Sequence, residues 1–508
     1  MSSDSINTNL NSKISSELLE LLDAPEILPN GAFINGSWCD ADDGSVFDVC
    51  NPGSGEVIAT VPKMGAQETS RAIQAAEDSF KEWEAVGPRV RSKILKKWYD
   101  LVIENKDDLA RIIMLENGKP YAEALGEVTY GANFIEWYSE EAKRAYGRMI
   151  PDADRLMFVI KSPIGVSVGI APWNFPLAMV TREAAPSLAA GCPFIMKPAE
   201  QTPLSGMALA YLAKKAGVPA GVFSVVSGDP ASIGGEMTSN PIVKKLGFTG
   251  SNATGKLLAH QCADSMKKVS LELGGSSPFI VFEDADIELA IDALMLAKYR
   301  NAGQVCVAAT RVLVQSSIYD DFMQRFSSRV KQLKLGHSSK DKSVTMGPLI
   351  NEAGFNKVKT YVEDAVSKGA KVILGGKPHA LGGNFYEPTI LSGIKDNMLV
   401  AENEIFGPVA CFYSFDNETE AVDIANGTPY GLLAYFFTKD TYRAWRLSKS
   451  LDFGIVGMNT GYLGTDCAPL GGVKESGIGR VGGVEGLEEY MEPKFFAMNA
   501  IEPDLNSK

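Results

Sequence analysis

Apolar positions recur along this chain with one period before residue 150 and another after it. From 69 to 146 they return every three to four residues, the spacing of helices that bury one face. That spacing predicts helices over 69–84, 89–104, 106–117 and 122–146. Ahead of them stand a short capped helix at 16–22 and strands at 32–38 and 46–49, separated by the turn-rich 40–45 and followed by a turn at 51–55. Beyond 165, short apolar runs alternate with helical spacing. Strands are predicted at 165–170, 194–197, 223–226, 245–248 and 268–273, and helices at 203–216, 231–238 and 254–263. A second block places strands at 279–281, 310–314 and 371–374, with helices at 286–299, 319–332 and 352–367. Alternation of this kind means βαβ units and parallel sheets, so the predicted fold class is α/β. Such sheets bind ligands at the carboxyl ends of their strands. Residues 156–161 form a short apolar and basic run, and the tail 495–501 reads as a strand with little of its own to pair with.

Composition narrows the function classes. A chain of 508 residues exceeds one hydrophobic core and predicts two or three domains. Its net charge of −13, with no basic block, sets aside nucleic acid and anionic membranes as partners. Seven cysteines, scattered and without a CxxC pair, argue against a disulfide framework or structural zinc and for a reducing compartment. None of the three histidines adjoins a nucleophile or acid–base motif, so base chemistry falls to a carboxylate or a lysine. Residues 1–16 are polar and Ser/Asn-rich, without the basic start, apolar run or arginines of a targeting segment, and no run reaches transmembrane length. The expectation is a disordered tail on a cytoplasmic protein that binds no metal.

Five stretches carry chemistry, each with an ordinary alternative. Cys306 ends the turn Arg300-Asn301-Ala302-Gly303-Gln304-Val305-Cys306; it is a nucleophile or a small buried hydrophobe. Asn174, fixed in Pro172-Trp173-Asn174-Phe175-Pro176, is an amide donor for an oxyanion or a turn residue. Glu272, between leucines in Leu271-Glu272-Leu273-Gly274-Gly275, is a base with a raised pKa or a strand-end carboxylate facing water. Gly250 and Ser251 open a Gly-x-x-x-x-Gly turn ending at Gly255, where a helix start favours phosphate or simply joins strand to helix. Lys197 and Glu200 follow a strand, where they suit ribose hydroxyls or form a solvated pair.

These stretches, together with Glu404-Ile405-Phe406-Gly407-Pro408, stand in the order and spacing of the aldehyde dehydrogenase superfamily, which the chain resembles from about Phe33 to the tail. Residues 136–142, 300–304 and 382–385 are most similar to succinate-semialdehyde dehydrogenases. The resemblance implies that Cys306 attacks the aldehyde carbon, that Asn174 with the Cys306 N–H stabilises the oxyanion, and that Glu272 activates the water that hydrolyses a thioester. It implies NAD, with NADP as the other option, held by Trp173, Lys197, Glu200, Gly250, Ser251, Gly255, Glu404 and Phe406. Arg182, Arg300 and Thr465 are the implied substrate residues, the arginines for a far carboxylate.

Several positions depart from the family pattern: Glu183 and Val481 replace a usual Lys and Glu, Val305 a Thr, Leu470 a Phe, and Ala308 a second cysteine. A neutral aliphatic or aromatic aldehyde, or a low-activity nucleotide-binding scaffold, are the rival readings. By the same resemblance, 1–147 with 167–273 form the NAD-binding domain and 274–486 the catalytic domain, both parallel-sheet and Rossmann-like. Residues 148–166 and 487–508 supply the β element through which a homodimer or homotetramer assembles.

Overall fold

The protein is seen as a computed structural model that describes residues 13–29, 31–152 and 155–499. Two large sheets organise it. The first has eight strands in the order Gly477–Ile478, Lys268–Glu272, Lys245–Thr249, Ser167–Ile170, Phe194–Lys197, Phe223–Val225, Ala32–Ile34 and Ser37–Cys39. Its five strands from Lys268–Glu272 to Phe223–Val225 run parallel, as the alternating pattern predicts. The second sheet has seven strands, in the order Lys371–Leu374, Thr389–Ser392, Val409–Phe415, Ala309–Gln315, Ser277–Val281, Leu433–Phe437 and Ile455–Met458. All its pairings are parallel except the first.

Each sheet has its own core. Trp98, Phe134, Tyr138 and Phe223 are buried in the cluster against the first, and Phe279, Phe322, Phe326 and Phe412 in the cluster against the second. Burying a ring of this size contributes on the order of 2–3 kcal/mol. The two cores meet where Gly477–Ile478 pairs with the first sheet beside Glu272, and Ser476 ties the seam: its hydroxyl donates to Gly274 O at 2.7 Å and accepts from Gly431 N at 2.9 Å.

Seven elements position the site: α1 (Tyr121–Glu141), β1 (Ser167–Ile170), α2 (Ala178–Ala190), β2 (Lys245–Thr249), α3 (Asn252–Ala263), β3 (Lys268–Glu272) and α4 (Ile287–Tyr299). The periodicity misses α2. All 13 of its residues are buried, so no polar face marks a helical period, and Pro186 lies inside it.

Other expectations need correction. The strand predicted at 32–38 is a hairpin, turned by Asn35 (φ 49°) and Gly36 (φ 76°), an Asn-Gly pair that signals such a turn. The helix predicted to 146 stops at Glu141, and Arg148–Ile150 is a strand. The tail is not short of a partner: Met491–Asn499 pairs along its length with Arg155–Pro163, which in turn pairs with Arg148–Ile150. Ile501 lies outside the described residues. So does the expected disorder of 1–12, but Lys13–Ser16 belong to the fold: Ile14 bridges to Ala59 and Ser15 caps the first helix. Among the described residues no helix is long and apolar enough to cross a membrane.

Candidate active site

A cavity of about 440 Å³ opens at the carboxyl ends of the parallel strands, with walls from both sheets. It gathers Cys306, Glu272 and Asn174, which the sequence scatters over more than 130 positions, a separation close to that of the hydrogen-bonded Asn174 and Gln304 (|i−j| = 130). Arg182 and Arg300 also line it, as do Trp173, Gly250, Ser251, Glu404 and Phe406. Lys197, Glu200, Gly255 and Thr465 are not among the lining residues. Lys197 is buried and paired with Glu200 and with Pro198 O (3.2 Å) at a strand's carboxyl end. Gly255 serves close packing of α3 on β3: a Cβ there would lie 2.3 Å from Leu273 Cδ2. Thr465 Oγ1 lies 3.2 Å from Cys467 Sγ.

The loop after α4 brings the thiol to the cavity. Asn301 (φ 50°) and Ala302 (φ 55°) are left-handed without being glycine, a conformation that costs about 1–2 kcal/mol per residue and persists only when neighbours enforce it. The enforcing bonds are visible. Glu123 accepts the Asn301 N–H at 2.7 Å, and Asn301 Nδ2 donates to Asn174 O at 3.1 Å. Gln304 donates to Asn301 O (3.0 Å) and Pro348 O (3.3 Å) and accepts from Ile350 N at 2.9 Å. The Asn174 amide donates to Gln304 O at 3.0 Å, which leaves its second N–H free for the cavity. Nucleophile loop and amide donor are thus held by each other.

A charged stripe missed in the sequence supports both. Lys119, just ahead of α1, and Glu123 and Glu127 on it recur every four residues; Lys119 and Glu127 are buried and Glu123 is half-buried. Lys119 donates to Glu127 (2.5 Å) and to Asn174 O (2.7 Å), while Glu127 accepts the N–H groups of Leu177 (2.9 Å) and Ala178 (3.3 Å) at the start of α2. The regular spacing of the three charges is the signal that was available.

Burial governs the ionisation of the site. It pushes the Cys306 thiol up to about 12, with Glu272 adding to the rise and Arg182 opposing it. Glu272 is raised, first by burial and then by Glu183, against the pull of Arg182. Burial likewise carries Glu404 up to about 7, against the Gly275 N–H that it accepts at 3.1 Å. The resting thiol is therefore protonated at neutral pH, and the cavity holds a carboxylate that is a stronger base than an exposed Glu.

The two arginines are held differently. Arg182 is buried, donates to Thr249 Oγ1 at 3.0 Å and stands 4.0 Å from Glu272. Arg300 has no hydrogen bond or ion pair among the described residues; its guanidinium lies against the rings of Phe175 (5.3 Å) and Tyr462 (5.0 Å).

The residues fit a dinucleotide. The N-terminus of α3, capped by Ser251, meets the cavity at the carboxyl end of β2, where unpaired N–H groups favour phosphate. Trp173 and Phe406 (φ 55°) meet edge to face at 5.4 Å, and the half-buried Glu404 supplies an acceptor for hydroxyls.

Comparison with known proteins agrees with this geometry. The model of the aldehyde dehydrogenase family matches residues 38–496. The chain belongs to the aldehyde dehydrogenase family, a class of oxidoreductases. It is 50% identical to a glutarate-semialdehyde dehydrogenase of Pseudomonas aeruginosa over 95% of this chain and 100% of that one. It is also 50% identical to a succinate-semialdehyde dehydrogenase (NADP+) of Escherichia coli, over 92% and 97% of the two chains. Among solved structures, betaine aldehyde dehydrogenase of Staphylococcus aureus in complex with NAD+ superposes with a TM-score of 0.92 at 36% identity, covering 98% of this chain and 99% of the other.

Proposed function

We propose that the protein oxidises a small aldehyde bearing a carboxylate at its far end, succinate semialdehyde before others, to the corresponding acid with NAD(P)+. The observation that carries this reading is Arg300: a guanidinium in the cavity of Cys306, lying over two rings, with no hydrogen bond or ion pair among the described residues. Such a group suits bidentate pairing with a carboxylate. Two relatives named for semialdehydes whose tails are carboxylates support it.

The chemistry follows from the residues. Cys306 loses its proton to Glu272 and adds to the carbonyl carbon, and the oxyanion takes hydrogen bonds from the free Asn174 N–H and the Cys306 backbone. Bound NAD(P)+ supplies the acceptor for the hydride that the thiohemiacetal carbon gives up. Glu272 passes that first proton to solvent; water then attacks the thioester and gives a proton to Glu272, the C–S bond breaks, Glu272 returns this proton to the leaving Cys306 thiolate, and the carboxylic acid product releases the second proton. Aldehyde, NAD(P)+ and water become carboxylate, NAD(P)H and two protons. Lys197 and Glu200 suit the adenine ribose, and a carboxylate there disfavours a 2′-phosphate, so NAD is the preferred form. We assign 1–147 with 167–273 to the cofactor domain and 274–486 to catalysis. The exposed Phe495 and Phe496 on Met491–Asn499 support pairing with a second copy of this chain, in a cytoplasmic homo-oligomer.

The test is a steady-state panel of succinate semialdehyde, glutarate semialdehyde and neutral aliphatic and aromatic aldehydes. The expected result is the highest kcat/KM for an acid-tailed member. A neutral aldehyde in first place would overturn the substrate class and favour the apolar side of the cavity at Leu463 and Leu470.

A further inference from the structure

One buried carboxylate next to the site has no part in the chemistry above. Glu183, on α2, is buried beneath the first sheet's face with one oxygen, Oε1, unpartnered among the described residues. Its other oxygen accepts the Tyr490 hydroxyl at 2.6 Å. The register of β2 and β3 fixes where it stands. Gly247 opposes Ser270, and Thr249 opposes Glu272. Positions two apart on a strand share a face, so Lys245, Gly247 and Thr249, with Lys268, Ser270 and Glu272, form one polar stripe under α2. Arg182 meets this stripe at Thr249, and Glu183 meets it one step earlier at Gly247, where a Cβ would lie 2.4 Å from Glu183 Oε2. The missing side chain at Gly247 is what lets the carboxylate approach. One such step along a strand is about 7 Å, so Glu183 and Glu272, both buried, lie within Coulomb range of each other.

Around Glu183 nearly every facing group is a donor or a cation. Arg182 comes from its own helix, Tyr138 from α1, Lys245 from β2, and Tyr490 from the start of the C-terminal strand. Beyond Lys245, Ser270 bonds Glu489 at 3.2 Å, and Lys268 approaches Glu489 at 3.8 Å near the surface. The exception is Glu272, which itself faces Arg182, Glu183, Cys306 and Arg480. Both carboxylates thus face Arg182, with Arg480 a second cation on Glu272, and of the two carboxylates only Glu272 opens on the cavity.

We propose that Glu183 is a positioning residue for the general base: it shares the charge of Arg182 with Glu272 and so keeps Glu272 a strong enough base to take the proton of the hydrolytic water near neutral pH. This rests on Glu272 being that base. The sign is fixed by electrostatics. A second negative charge beside Glu272 favours its protonated form, so removing that charge makes Glu272 more acidic. Its activity then persists to lower pH, at the cost of a weaker base above the limb.

The experiment uses the full-length protein acylated at Cys306 with 4-nitrophenyl acetate, which needs no dinucleotide. The slow phase after the nitrophenolate burst reads deacylation, followed from pH 5 to 9. Glu183→Gln is expected to move the acid limb of that phase down by about one pH unit, the size of one like charge at this range. Glu183→Asp, which keeps the charge, should hold the limb near that of the parent. Should Glu183→Gln fail to fold, Gly247→Ala is the second variant: its methyl pushes the Glu183 carboxylate off the stripe, and the limb should move the same way by less. A folded Glu183→Gln or Gly247→Ala with the limb in place, or a rate lowered equally at every pH, overturns the proposal. Glu272→Gln separates the two readings: if it leaves deacylation fast, the assignment of the base fails; if it stops deacylation while the charge variants leave the limb unmoved, only the role of Glu183 fails.

Discussion

The two arginines of the cavity are one residue type in two environments. Arg182 is enclosed, bonded to Thr249 and set 4.0 Å from Glu272, so its charge is already committed to the protein. Arg300 lies over the rings of Phe175 and Tyr462 and has no hydrogen bond or ion pair among the described residues. A buried cation with a carboxylate 4.0 Å away stabilises the site; a cation lying over two rings, with Glu123 acting on it only through its charge, keeps its donors for a ligand. Partner chemistry, rather than residue identity or nearness to Cys306, is what distinguishes the two, and on the proposed function it makes Arg300 the better placed to meet a substrate carboxylate.

The largest effect removes the centre that both arginines border. Cys306→Ala should lower kcat by about 10⁴-fold or more, read as NAD(P)H formation at saturating aldehyde. If turnover survives, neither arginine belongs to a reaction at this cysteine. Next, Glu272→Gln should slow deacylation by about 10²–10⁴-fold and let acyl-enzyme accumulate, visible by mass spectrometry of the quenched protein. In the parent, burial raises Glu272 above the usual carboxylate range, so activity is lost as pH falls through that raised value and returns above it.

Arg182→Met sharpens the comparison directly. It strips the cation from a buried carboxylate, at a cost of about 3–5 kcal/mol in stability, and moves the acid limb of the pH–rate profile upward. Thermal denaturation and that profile check it; an unchanged melting temperature would mean that Arg182 is not committed as described. Arg300→Met should leave stability nearly unchanged and lower kcat/KM by about 10- to 100-fold for acid-tailed aldehydes alone. An equal loss for neutral aldehydes would erase the distinction between the two arginines. Smallest is Glu200→Ser, expected to change the NAD/NADP ratio of kcat/KM by about tenfold toward NADP, with a constant ratio counting against the ribose role.

Much of this was legible beforehand because it is local. Turns with Gly, strands of five residues and the alternating order of the parallel sheets leave period and punctuation in the chain. The helix Ala178–Ala190 left neither, since burial on every side erases the polar face that a period needs. The Asn35-Gly36 turn signal stands in the sequence, inside a stretch whose apolar pattern predicts one continuous strand. The charge stripe Lys119, Glu123 and Glu127 was readable as spacing, but its targets, the Asn301 N–H and the Asn174 carbonyl, lie on other segments.

The sequence by itself determined the family, the α/β class and the reactive residue types, because motifs of a few contiguous residues carry them. Only the tertiary structure decided how those residues are charged and whom they serve. It put Arg182 against Glu272 and Arg300 over two rings. It used the bare face of Gly247 to bring Glu183 onto the stripe that ends at Glu272. The physical reason is that burial and the nearest charge set an ionisable group's behaviour, and both are properties of neighbours brought together from distant parts of the chain.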